Sequence, residues 1–214
     1  MRSSEPIPGE AWPHDMTFTV DDRPNALMEL LWVREAHGLE PQGDDLPPLL
    51  VDTPAPVHDT SISDETRRRW EDGWPRVWDA VAAHTGLERD PAQFEKIRDT
   101  PNGSPERAEL LRLLVGPDWR DEFGDSAFAN PGYSAWDREG FDAHTASRPQ
   151  SLQSSPERRD LAALVAAWHR GLTKVVTIPC QGEFTRKIGP STLLTTSATR
   201  DDSASYQRAL ASFE

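Results

Sequence analysis

Apolar residues recur with helical spacing over most of the chain and with strand-like alternation in two short regions. Met16-Thr17-Phe18-Thr19-Val20 alternates apolar and polar and predicts a short strand. Asp22 is placed to cap a following helix, with Pro24 in its first turn and Gly38 at its end. Leu27, Leu30 and Leu31 give that helix one apolar face, which Met28 and Trp32 widen. Ser63-Asp64-Glu65 opens a second helix carrying Trp70, Trp74, Trp78 and Val81, and Gly73 and Pro75 predict a break near Gly73. Asp90-Pro91 starts a helix through Arg98 with Phe94 and Ile97 facing inward. Ser104-Pro105-Glu106 starts another, loaded with Leu110, Leu111, Leu113 and Leu114. In both, a capping side chain precedes a proline whose missing N–H costs nothing there. Residues 116–150 hold Trp119, Phe123, Phe128, Tyr133, Trp136 and Phe141 without a period, which predicts short helical turns joined by loops. Ser155-Pro156-Glu157 then opens a helix with Leu161, Leu164, Val165 and Trp168 in register and Gly171 beyond its end.

The pattern changes after residue 172. Lys174 to Pro179, Glu183 to Ile188 and Thr192 to Ser197 are rich in Val, Ile, Thr and Phe. Cys180-Gln181-Gly182 and Gly189-Pro190-Ser191 separate them. This predicts an antiparallel β-meander over 172–200, followed by a helix over 202–213 capped by Asp202 and striped by Tyr206, Leu210 and Phe213. The expectation is an α+β fold, mostly helical, in one domain over 16–214. Residues 1–15 read as a disordered leader, and Met16 is an alternative start. Residues 39–63 hold five prolines and no helical period, a loop far longer than most connections, with Leu49-Leu50-Val51 as an extended piece pinning it to the core. Ser-Pro-Glu-Arg occurs at 104–107 and 155–158, but the residues that follow diverge, so this is a helix start used twice.

Composition adjusts this picture. Leu, Ile, Val and Phe make up under a fifth of the chain, at the edge of what builds a core, and 8 Trp compensate because each can bury roughly 150–250 Å². The formal charge of −13 opposes non-specific binding to nucleic acid or anionic lipid, while leaving room for a local basic patch. No stretch approaches the ~20 apolar residues of a membrane span, and Met1-Arg2-Ser3-Ser4-Glu5-Pro6 leads into no apolar signal region. A single cysteine allows neither an internal disulfide nor a cysteine metal cluster. These features fit a soluble, cytoplasmic protein.

Little recognisable chemistry stands out. Cys180 sits in a turn after a strand, with His169 or His144 as candidate bases for a nucleophilic thiol. A buried, inert cysteine is the commoner outcome. The six histidines are scattered without metal-ligand spacing. His37, His84 and His169 lie at helix ends, where the helix dipole explains them. The acidic clusters Asp44-Asp45 and Asp118, Asp121, Glu122, Asp125 lack the order of a calcium loop and suit a solvated surface. Glycine loops for phosphate are missing, so no cofactor and no metal are expected.

Two binding readings remain. Arg67-Arg68-Arg69 beside Trp70 and Trp74 combines residue types enriched at interface hot spots, although a tryptophan stripe at helical spacing is more often core. A helix followed by a hairpin over 156–188, with Arg158, Arg159, Arg186 and Lys187, loosely matches a winged DNA-binding module, against the acidic charge. The leading expectation is a non-enzymatic protein acting by binding another protein, with a basic partner suited by charge. A Cys/His enzyme and a winged-helix DNA binder are the alternatives.

Overall fold

The computed structural model describes residues 11–57, 62–88, 90–129, 131–147, 151 and 154–214. The chain runs β1 (Thr19–Asp22), α1 (Asn25–Ala36), α2 (Asp64–Thr85), α3 (Pro91–Asp99), α4 (Pro105–Val115), α5 (Trp119–Phe123), a 3-10 turn (Ser126–Phe128) and α6 (Gly132–Ser147). It continues with α7 (Pro156–Arg159), α8 (Leu161–His169), β2 (Lys174–Ile178), β3 (Thr185–Lys187), β4 (Thr192–Thr196), α9 (Ser197–Asp201) and α10 (Ser203–Ala211). This is the expected α+β domain, helix-rich, with its sheet mostly near the C-terminus. No helix among the described residues is long and apolar enough to cross a membrane.

The strand pairing differs from the expected meander. The sheet order is β1-β2-β4-β3, with β1 parallel to β2, β2 parallel to β4, and only β3 antiparallel, against β4. The segment after β2 does not turn back into a hairpin because another partner takes its hydrogen bonds. Leu50 bridges Cys180, Val51 N–H donates to the Pro179 carbonyl at 3.0 Å, and Gln181 N–H donates to the Leu49 carbonyl at 2.7 Å. The expected extended piece at 49–51 therefore exists, and it is what displaces the meander. The same loop is held from below by the buried Arg34, which donates to the Pro47 and Pro48 carbonyls at 2.7 and 2.6 Å. Residues 58–61 of this loop lie outside the described residues.

Side chains alternate across the sheet, so its two faces carry different cores. Val176, Ile178 and Leu194 join α1, α2 and α5 in one cluster containing Trp32, Trp70, Trp74, Trp78 and Trp119. Val175 and Leu193 point the other way into a smaller cluster with Leu164, Ala167, Tyr206, Leu210 and Phe213 of α8 and α10 and its flanks. Trp12 packs against this second cluster and its indole N–H donates to the Met16 carbonyl at 3.1 Å, which ties part of the expected leader to the fold. Residues 1–10 lie outside the described residues.

Helix starts follow the capping residues. Ser63, Asp90, Ser104, Ser155 and Asp202 each accept a hydrogen bond from the first-turn backbone. Asp22 does not cap α1: it ends β1, and its carboxylate turns to the sheet. Nor does α2 break at Gly73. The helix runs through Pro75, and Gly73 instead gives the Phe123 ring room, since a Cβ there would lie 2.4 Å from it. Phe94, expected inward, is exposed, while Ile97 is buried.

Candidate functional site

The two tryptophans of the sequence-derived binding surface are not on the outside. Trp70 and Trp74 are 2% and 0% exposed. Trp74 stacks on Trp78 at 5.3 Å and donates its N–H to the Leu30 carbonyl at 2.9 Å. Of the arginines beside them, Arg67 is half-buried, and only Arg68 and Arg69 are exposed. The chain is short of Leu and Ile, and the indoles fill that volume.

The expected winged arrangement does not form either, because β2 and β3 do not pair. Its cations serve contacts within the fold. Arg186 pairs with Asp79 at 2.9 Å, Arg159 pairs with Asp160 at 2.8 Å, and Arg158 lies over the Trp12 ring.

Cys180 is fully buried, and burial pushes its thiol up to about 12, with Arg34 opposing and Glu35 adding to the rise. Such a thiol supplies almost no thiolate at neutral pH, so the Cys180 nucleophile is not activated in this fold. His169 is exposed at the end of α8 beside Trp168 and does not line the cavity that Cys180 borders. Alkylation of Cys180 in the folded chain is expected to run about 10³-fold slower than for a model thiol near neutral pH, and to rise as pH increases. Mass spectrometry of iodoacetamide-treated native protein, against a urea-unfolded control, checks this.

The structure instead gathers polar groups where the parallel strands end. A cleft of about 820 Å³ opens at the carboxyl ends of β1, β2 and β4 and is lined by Asp22, Asp52, His144, Thr177, Arg200 and Asp201 together with several serines. In sheets with parallel strands this end is where side chains and loops from different elements converge. Asp22 is one of the lining residues and joins three of the others. It accepts the Thr177 hydroxyl at 2.7 Å from the neighbouring strand, and its carboxylate lies 3.5 Å from His144 Nε2 and 3.7 Å from Arg200 Nη1.

Each partner is positioned by packing. Arg23, immediately after Asp22, holds φ +55°, a left-handed conformation uncommon for a side chain other than glycine. Its guanidinium lies 3.6 Å from Asp137 and over the Trp136 ring of α6. Gly140 permits this, since a Cβ there would fall 2.5 Å from Arg23 Nη2. Asp137, Gly140 and His144 share one face of α6, so seating the helix on Arg23 carries His144 over Asp22.

Arg200 is fixed from the other side. Its Nε and Nη2 fork onto the Glu157 carboxylate at 2.7 and 2.9 Å, leaving Nη1 as the edge turned to Asp22. Arg159 donates to the Arg200 and Asp201 carbonyls at 3.0 and 2.7 Å and so holds the end of α9. Tyr206 donates its hydroxyl to Glu157 at 3.2 Å, and burial drives that phenol far above its ordinary value. Burial alone would raise the Asp160 carboxyl beneath this network, but hydrogen bonds from Gln207, Ser203 and Arg159 outweigh it and hold the group below the usual carboxylate range.

The lining mixes the carboxylates Asp22, Asp52 and Asp201 with the guanidiniums Arg159 and Arg200 and the His144 imidazole, and Ser147, Ser155, Ser197 and Thr177 add hydroxyls. It offers donors and acceptors in close alternation. No group of three or more metal-ligating side chains converges among the described residues. Of the candidate site residues singled out from sequence, His144, Cys180 and Arg159 line this cleft. Asp22, Glu157 and Arg200 were missed, because residues so far apart in the chain meet only through the sheet. Comparison with protein-family models, with curated proteins and with solved structures finds no match to the chain.

Proposed function

We propose that the chain binds a small, uncharged, hydroxyl-rich ligand in the cleft at the carboxyl ends of its parallel strands. The convergence of Asp22, His144, Thr177 and Arg200 on one point of that cleft carries the reading. A lining that interleaves carboxylates and guanidiniums with hydroxyls presents no strong field of one sign to an ion, but it can satisfy many hydroxyl or amide groups at once. The volume of about 820 Å³ falls within the range of small-molecule sites. Asp22 and Asp52 would accept ligand hydroxyl protons, and His144 and Arg200 would donate.

Calorimetric titration with a panel of neutral polyols and saccharides, sugar phosphates and dipeptides tests this. A neutral hydroxyl compound is expected to bind the wild-type chain saturably. Asp22→Asn and His144→Gln should each weaken it about 10- to 100-fold, as expected for loss of a hydrogen bond to a charged group. Absence of binding by every compound, or full affinity in both variants, would overturn the proposal.

A further inference from the structure

We infer that Asn102 is a site of spontaneous deamidation, in which the Gly103 backbone nitrogen attacks its side-chain amide in the turn between α3 and α4. The inference stands apart from the ligand cleft. Asn102 and Gly103 occupy the middle of a tight turn that the Ser104 N–H closes onto the Pro101 carbonyl at 3.3 Å. Gly103 holds φ +79°, as the third residue of a type II turn requires. Both residues are exposed, and among the described residues neither the Gly103 N–H nor the Asn102 amide has a hydrogen-bond partner. A Cβ built at Gly103 would meet nothing within 4 Å, so water reaches the peptide from that side. The nucleophile and the group it attacks are therefore adjacent, unshielded and free to turn toward each other.

The step needs water and no oxidant or reductant. The Gly103 nitrogen gives up its proton and bonds to Asn102 Cγ, the Cγ–Nδ2 bond breaks, and ammonia leaves with the proton. Water then opens the five-membered imide at one of its two carbonyls. Opening at the side-chain carbonyl leaves aspartate, and opening at the backbone carbonyl leaves isoaspartate, with one extra methylene in the main chain. The chain's other asparagines, Asn25 and Asn130, are poorer substrates. Asn25 opens α1, its Nδ2 donating to Glu29 at 3.3 Å and its Oδ1 accepting the Tyr133 hydroxyl at 3.0 Å. Asn130 precedes Pro131, whose nitrogen carries no hydrogen and cannot close an imide. The turn also joins two helices. Ser104 accepts the Arg107 N–H at 3.1 Å to cap α4, and the Arg107 guanidinium donates to the Ile97 and Thr100 carbonyls at the end of α3. Isoaspartate lengthens the turn by one atom and loosens this corner. Aspartate only adds a carboxylate near a helix N-terminus, which the dipole favours.

Peptide mass spectrometry of the full chain tests this after incubation in warm, mildly alkaline buffer, beside a guanidinium-unfolded sample. In the folded chain Asn102 should convert at least about tenfold faster than Asn25, a barrier difference of about 1.4 kcal/mol. The product should separate into aspartate and isoaspartate peptides. Conversion should slow in mildly acidic buffer, because the attacking nitrogen must lose its proton. Asn102→Gln, at an exposed position, should keep the fold and lose the conversion, since a six-membered ring closes more slowly. Hydrogen exchange over residues 97–107 should quicken in the isoaspartate fraction and match wild type in Asn102→Asp. Asn102 left intact in the folded chain, whether or not the unfolded sample converts, would overturn the inference, as would conversion of Asn25 at the same rate. Unchanged exchange in the isoaspartate fraction would overturn the loosened corner.

Discussion

Trp74→Ala should cost this fold about 3–5 kcal/mol and lower its melting temperature by roughly 6–20 °C. The indole is wholly buried, stacks on Trp78 with planes 8° apart, lies under the Arg34 guanidinium at 5.3 Å and donates to the Leu30 carbonyl. Truncation removes about 150–250 Å² of buried surface and opens a void between α1 and α2 that neighbouring helices can close only in part. Trp74→Phe keeps an aromatic ring against Trp78 and loses the N–H donor, so it should cost about 1–2 kcal/mol. Thermal or urea unfolding followed by circular dichroism reads both. Equal melting temperatures for Trp74→Ala and wild type would contradict the packing described. A consequence is that Trp74→Ala reports on folding, so loss of any partner on that substitution would say nothing about a binding surface.

The helix starts were legible because capping is local. Ser63, Asp90, Ser104 and Ser155 each stand one residue before the first helical turn, and their geometry needs nothing beyond a few neighbours. Leu27, Leu30 and Leu31 of α1 are buried as their spacing predicts, but α1 is buried nearly all round, with Glu29 and Arg34 enclosed as well, which the one-face pattern does not show. Strand partnership was not legible. Cys180-Gln181-Gly182 has the composition of a hairpin turn, but Leu50 competes for its backbone from 130 residues away, and no local pattern reveals that competitor. Gly73 looked like a helix breaker because the residue that exploits it, Phe123, lies on another helix. Asp22 satisfied the local pattern of a cap while its cross-strand neighbour Thr177 claimed the carboxylate. The cleft shares this property throughout. Each of its central contacts joins residues from different elements, so its chemistry is set by topology and could not be read before the topology was known.

The Glu157–Arg200 pair offers a sharper test of that topology than any single residue, because its two halves should fail separately and succeed together. Glu157 and Arg200 side chains are 8% and 15% exposed and joined by two hydrogen bonds. Burial disfavours the Arg200 charge, but the carboxylate of Glu157 more than compensates and holds the guanidinium above its ordinary value. Removing one partner strands the other charge in a site prepared for a pair. Arg200→Met and Glu157→Met are therefore each expected to cost about 3–5 kcal/mol. Removing both leaves two unbranched apolar side chains of similar reach against Tyr206, and the double variant should recover most of the loss, ending within about 1 kcal/mol of wild type. The cycle also separates stability from ligand binding. Arg200 Nη1 faces Asp22 in the cleft, whereas Glu157 reaches the cleft only through Arg200. A refolded double variant should thus be stable but poor at binding the neutral ligand. Urea titrations of the four chains, followed by calorimetry on the double variant, read the two effects independently. Additive losses in the cycle would mean that the two residues do not meet as described. Full ligand affinity in the double variant would remove Arg200 from the site while leaving its structural role intact.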